Sequence, residues 1–501
     1  MMIKINYLTE AVRLQTLDDK AFDDVKLGDN IKFKALCSEG VLPVITYCGE
    51  VIGAKDGVYS IKAMDNGVIT VAATGLSLAQ QHSVGVGLKG ENLAEYNSDV
   101  FMAPVWESDT VYHEAVMFTD SADGIVQKEK KLLYPIDDVI SVRNDKLDKW
   151  YVKGVDFDVK NSKLVWLEGG TCPIWKGNLI VPANADDSYV DPALNVGTSG
   201  TAASWYRLDE NGDKGLNLIY DAYHEACTLY VTYKHSKKWS DLGETGYEPV
   251  AVQSNSERVE HLFEKLATGE NINVLVYGDS CATGCSSTGM SVNYELFGRE
   301  PNENGDLPVS VRKANGGILS VPTFFEMATE ELVKKSGKNN IVKYYNIACG
   351  GTSASWGKAK LKERIAFMNK YYNNVVPDII YIKYFANDVR TSPQSFRDSY
   401  ESMVRELREL YPNAPIICVT GKINNERCFI FRESRENTFE LQNVICDIAE
   451  QFDNCVAVRA TSFWDSAVKS KNFEDYLYNN INHANDFWAR ITAQLIVATL
   501  L

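Results

Sequence analysis

The sequence predicts an α/β fold over residues 251–501, preceded by an all-β region, a sandwich or jelly roll, over residues 1–250. Two observations predict it. In the first half, short alternating or β-branched runs are separated by Gly, Asn and Asp turns. Past residue 250, strand-like runs alternate with segments whose apolar residues recur at helical spacing, as a parallel sheet covered by helices requires.

In the first half, 68–72, 163–167 and 228–233 read as strands, and Asn66-Gly67, Lys153-Gly154 and 209–215 as turns. Residues 209–215 resemble part of a calcium loop but lack its closing glutamate, so a hairpin turn is the reading. A subdivision near residue 105 is expected, because 101–106 ends a Gly-rich stretch and a new strand series starts at Val111. In the second half, strands are expected at 273–277, 341–348, 379–385, 416–420 and 456–459, and helices at 257–267, 395–410 and 486–500.

Charge and composition exclude several functions. The chain carries 51 Lys and Arg against 67 Asp and Glu, a net charge of -16, which disfavours nucleic acid and anionic membranes as partners. The first residues have no apolar signal core, and no run approaches the roughly 20 apolar residues of a membrane helix, so a cytoplasmic location is expected. The 11 cysteines are scattered, several in apolar runs, and read as reduced structural thiols. Cys281 and Cys285 form a C-x3-C with no partners to complete a zinc set, so neither metal nor organic cofactor is expected.

In a parallel sheet the ligand site lies beyond the carboxyl ends of the strands. Gly278-Asp279-Ser280 follows the first strand and puts a hydroxyl at the sheet's mouth. The tripeptide alone suits any turn, and it is not the G-x-S-x-G elbow, because Cys281-Ala282 follow. Asn346 to Thr352, with Gly350-Gly351, follows the second strand, and Ala386-Asn387-Asp388 the third. Of the six histidines, five precede the first strand of the α/β sheet, so His483, before the last helix, is the one candidate base for Ser280 beyond it.

Taken in order, Gly278-Asp279-Ser280, Asn346…Gly351, Asn387-Asp388 and His483 resemble the SGNH hydrolases, also called the GDSL esterase/lipase family, over roughly residues 255–501. The resemblance implies a flavodoxin-like α/β/α domain, Ser280 as nucleophile and His483 as general base. It also implies an oxyanion hole from the Ser280 and Gly351 backbone N–H groups and the Asn387 amide. Asp279, Phe385 and Trp356 are expected at the substrate pocket. The β region before such a domain is similar to the arrangement of two-domain carbohydrate esterases.

Two positions depart from the family pattern. Phe385 stands where the family has Gly, with a ring expected to reshape the acyl pocket or offer a stacking face for sugar. Asn480 stands where the family has the triad Asp. An amide stabilises an imidazolium less well than a carboxylate does. The orienting group is then Asn480 or a backbone carbonyl, or an acid displaced from Asp475, Glu474 or Asp486; Asp486, at the start of the last helix, suits a helix cap better.

The expected function is hydrolysis of short acyl esters, acetyl foremost, on carbohydrate through an acyl-enzyme. The alternatives are a lipid or small-ester acylhydrolase and an inactive carbohydrate-binding protein. Residues 286–323, rich in Gly, Asn and Pro, are expected to shape the pocket, and Tyr384, Trp464 and Trp488 are nearby aromatics.

Overall fold

The computed structural model describes residues 3–74, 101–181, 190–191, 196–197, 217–218, 227–245, 254–284 and 323–501, apart from short gaps within these ranges. The 209–215 turn, nearly all of the 286–323 segment and Cys285 lie outside the described residues.

The chain opens with two small sheets. One holds Lys4–Tyr7, Val68–Thr74, Leu42–Tyr47 and Glu50–Ile52 in that order, the other Val12–Thr16, Asn30–Cys37 and Tyr59–Lys62. Alternation builds the interior between them. In Asn30–Cys37, Ile31 and Phe33 are buried while Asn30, Lys32 and Lys34 are exposed. Ile31 and Phe33 share a buried cluster with Ile45, Ile69 and Val71 of the facing sheet, which makes a sandwich.

A second antiparallel sheet follows, in the order Trp150–Tyr151, Asp138–Asn144, Leu229–Lys234, Thr110–Val116. The Arg13–Asp156 ion pair, 2.7 Å and buried on both sides, joins this region to the first.

The C-terminal sheet has five parallel strands: β1 (Ile272–Gly278), β2 (Val342–Asn346), β3 (Ile379–Lys383), β4 (Ile416–Val419) and β5 (Cys455–Val458). Their order is β2-β1-β3-β4-β5, the flavodoxin-like order. The inner strands are apolar on both faces because each face is covered, whereas the edge strand β2 leaves Lys343 exposed. Val274 and Val276 of β1 belong to one buried cluster, and Leu275 and Tyr277 to the other.

Helices α3 (Ala354–Tyr372), α4 (Pro393–Leu410) and α5 (Arg435–Gln451) pack on the Leu275 face. The Val274 face is covered by α1 (Glu260–Thr268), α2 (Phe324–Lys335), α6 (Ala460–Val468) and α8 (Asp486–Leu500), the short α7 (Phe473–Tyr476) lying before α8.

Helix α8 is buried on nearly every side, because the Thr110–Val116 sheet covers the face that would otherwise meet water. Val111, Ala115, Val142 and Tyr233 share a cluster with Trp488, Ile491 and Leu495, so this core runs across position 250. The buried Gln494 of α8 is satisfied there. Its Nε2 donates to the carbonyls of Phe101 and Ala103, both at 2.9 Å, and its Oε1 accepts from Val105 N at 3.2 Å.

Asn485, not Asp486, caps α8, its side chain accepting from Trp488 N at 3.3 Å. The described cysteines are free thiols. Among the described residues, no helix is long and apolar enough to cross a membrane.

Candidate active site

In a β2-β1-β3-β4-β5 sheet the crevice opens where the chain order reverses, at the carboxyl ends of β1 and β3. Gly278 ends β1 where the backbones crowd. A Cβ there would stand 2.2 Å from the Lys383 carbonyl oxygen and 2.6 Å from Ala282 Cβ, so only glycine fits. The next residues form a tight turn, with Ala282 N and Thr283 N donating to Asp279 O at 3.0 and 3.1 Å and Thr283 Oγ1 to Ser280 O at 2.7 Å. Ser280 is fixed at its head.

Asp279, expected at the pocket, is instead fully buried. Its carboxylate accepts from Cys281 N (2.8 Å), Phe385 N (3.3 Å) and Ala386 N (3.1 Å), which splices the turn after β1 to the loop after β3.

His483 arrives on the loop between α7 and α8. Tyr478 N donates to His483 O at 2.8 Å, Asn485 N to Tyr476 O at 3.1 Å, and Asn485 Nδ2 to Asp475 O at 3.0 Å. These bonds hold His483 Nε2 at 2.9 Å from Ser280 Oγ, across 203 positions of sequence. Burial, with the Lys422 cation adding to it, depresses the His483 imidazole to about 3.

The loops after β2 and β3 meet beside this pair. Asn346 Nδ2 donates to Ala282 O at 2.9 Å, and Cys349 N to Gly278 O at 2.9 Å. Gly351 has φ of 72°, a left-handed turn, and Asn387 Nδ2 donates to Thr352 O at 2.9 Å. Asp388 accepts from Ala354 N at 3.0 and 3.1 Å and so anchors the start of α3. Burial pushes the Asp388 carboxyl up to about 7; the Ala354 N–H opposes this and the Asp279 charge assists it.

The residues expected to orient His483 are placed as follows. Asn480 is fully buried with φ of 54°, and its carbonyl and Oδ1 accept from Asn425 Nδ2 at 2.7 and 3.1 Å. Asp475 faces the β region, paired with Lys130 Nζ at 3.0 Å and accepting from Met117 N at 3.0 Å. Glu474 pairs with Arg427. Neither acid turns its charge to the ring, because each already neutralises a cation elsewhere.

Phe385 offers no face to a sugar. It is fully buried, and its ring occupies the space of a side chain that Gly421 lacks: a Cβ at Gly421 would lie 1.9 Å from it. Tyr384, Trp464 and Trp488 are core residues, while Trp356 is half-buried near the start of α3.

Sequence reasoning missed a cavity of about 40 Å³ lined by Cys281, Lys383, Lys422, Phe324, Trp464 and Thr492 among others. Its signal was Lys383, a cation at the end of an apolar run. Among the described residues, no group of three His, Cys, Asp or Glu is placed to hold a metal ion.

A family model described as GDSL-like Lipase/Acylhydrolase matches residues 274–490. Over these residues the α/β half is similar to that family. The Ser280–His483 contact falls inside the matched span.

Among solved structures, the chain is similar to a two-domain esterase active on acetylated mannans, at 17% identity and a TM-score of 0.34, covering 52% of this chain and 55% of that one. It is also similar to a catalytic mutant of an acetylxylan esterase from Geobacillus stearothermophilus, at 16% identity and a TM-score of 0.32, covering 45% and 93%. A third is an alpha/beta hydrolase from the metagenome of Lake Arreo, Spain, at 13% identity and a TM-score of 0.33, covering 47% and 99%. No curated protein matches the chain.

Proposed function

We propose that the protein hydrolyses short acyl esters, acetyl foremost, on carbohydrate. The observation that carries the mechanism is the 2.9 Å contact between Ser280 Oγ and His483 Nε2 at the mouth of the GDSL sheet. Ser280 gives its proton to His483 Nε2 as Oγ attacks the ester carbonyl. The tetrahedral oxyanion is received by the backbone N–H groups of Ser280 and Gly351 and by the Asn387 N–H not used on Thr352. His483 then protonates the leaving alcohol, and water repeats the cycle on the acyl-enzyme.

Short acyl groups are favoured because Phe385 and Tyr384 fill the interior behind Ala386 rather than opening a channel for a long chain. Acetyl and octanoyl aryl esters test this. A kcat/KM at least tenfold higher for acetyl is expected, and an octanoyl preference would make the protein a lipid acylhydrolase. Labelling of Ser280 by an organophosphonate tests the nucleophile, and an unlabelled, inactive protein would support binding without catalysis.

The acid limb of the rate profile follows from His483. Only the neutral ring accepts the Ser280 proton, and its affinity for a proton is depressed to about 3. Esterase activity should therefore persist well below pH 6, where an ordinary histidine of pKa about 6.5 is already protonated. A kcat/KM profile from pH 3 to 8 checks this, and an acid limb centred near 6.5 would contradict it.

A further inference from the structure

Two lysines at the mouth of the sheet have no part in the proton transfers above. Lys383 ends β3 and Lys422 follows β4, and both are more than nine-tenths buried. Each ammonium has three N–H donors. Lys383 Nζ donates to Thr420 O at 2.7 Å and lies 5.3 Å over the Phe385 ring, and Lys422 Nζ donates to Cys281 Sγ at 3.1 Å. Neither pairs with a carboxylate among the described residues. Asp279, the carboxylate that acts on Lys383, spends its oxygens on three backbone N–H groups.

Buried ammonium groups are costly without an anion to answer them. Both line the 40 Å³ cavity, whose walls include Cys281 and Ala484, the residues that follow Ser280 and His483 in the chain. One water needs roughly 10–15 Å³, so the cavity admits about three heavy-atom-sized groups, the size of a carboxylate. Its other walls, Phe324, Trp464 and Ala489, suit the carbons that would lead to one.

We propose that this cavity binds a small carboxylate, Lys383 and Lys422 supplying the charge, and that the enzyme therefore accepts short acyl groups ending in a carboxylate, as in a succinyl hemiester. This rests on Ser280 being the esterase nucleophile, since the bound carboxylate belongs to the acyl group on Ser280.

The test compares monoethyl succinate with ethyl succinamate, which has the same shape and a neutral amide in place of the carboxylate. The wild-type kcat/KM should favour the hemiester by about tenfold or more, and this ratio should fall toward one in Lys383→Met and in Lys422→Met. A wild-type ratio near one, or a ratio unchanged in both variants, would overturn the proposal. The readout is a ratio within one protein, so a general loss of activity in a variant does not mimic it.

If no ester is hydrolysed, with 4-nitrophenyl acetate included, the esterase reading fails and the cavity is judged separately. Calorimetric titration of the wild-type chain with acetate, and with acetamide as control, needs no variant. Saturable binding of acetate alone supports the carboxylate site, and its absence overturns it.

Discussion

Ser280→Ala is expected to lower kcat on an acetyl ester by about 10³-fold or more while leaving KM near the wild-type value, and adding His483→Ala should cost almost nothing further. Beyond its contact with His483 Nε2, Ser280 Oγ serves to attack the ester carbonyl, so its loss removes an interaction made in the transition state and little ground-state binding. The two side chains act as one unit through their 2.9 Å contact, and units of this kind are strongly non-additive.

The size of the effect is set by Asn480. Replacing a triad Asp by Asn in a serine protease cost about 10⁴-fold, and oxyanion donors alone sustain about 10³–10⁴-fold over water. A site with Asn480 in the acid's place and a ring depressed to about 3 by burial and Lys422 begins from a lower rate, so it has less to lose than a full triad. Single-turnover and steady-state rates on 4-nitrophenyl acetate for the two single variants and the double check this. A double variant slower than either single by the product of their effects would mean that the two residues act separately. A Ser280→Ala rate within tenfold of wild type would remove Ser280 as the nucleophile.

The sheet and the Ser280–His483 pair were legible in the sequence because both rest on local signals. The inner strands, buried on both faces, leave nearly continuous apolar runs, and the observed bounds differ from the expected ones by a residue or two, as at Val342–Asn346 against 341–348. The pair was legible through scarcity, one histidine beyond the first strand of the α/β sheet.

What local pattern could not show were contacts set by tertiary packing. Asp475 reads as a spare acid eight residues before His483, yet its partner Lys130 lies 345 positions away on the β region. The apolar terminal helix gives no hint that a second sheet, starting at Thr110, covers its outer face. Phe385 looks like an obstruction in the pocket until Gly421, on the neighbouring strand end, is seen to leave it room. Lys383 and Lys422 come from different strands, and only the sheet order puts them in one cavity.

Asp475→Asn should destabilise the protein by about 3–5 kcal/mol, the cost of leaving one member of a buried ion pair without its partner. Asp475 and Lys130 are each only 1% exposed. Burial works against the Asp475 charge, but the Lys130 and Lys471 cations and the Met117 N–H prevail and hold it below the usual carboxylate range. Its stabilisation is thus complete above the unfolded-state pKa of about 3.9 and is lost as pH falls through the lower folded value.

Urea unfolding at pH 7 checks the size. A double-mutant cycle with Lys130→Met checks the cause: Asp475→Leu with Lys130→Met should recover most of what Asp475→Asn loses, since the cost lies in the orphaned charge rather than in the missing pair. The catalytic consequence follows from the same residue. The Asp475 carboxylate accepts from Asn472 N at 3.2 Å and from Met117 N at 3.0 Å, and so holds α7, from which the loop carrying His483 departs, against the β region. Asp475→Asn should therefore lower kcat at temperatures where the variant is still folded, and the Leu/Met double variant should restore kcat together with stability. Stability recovered without kcat would show that the charge itself, and not the placement of the loop, governs His483.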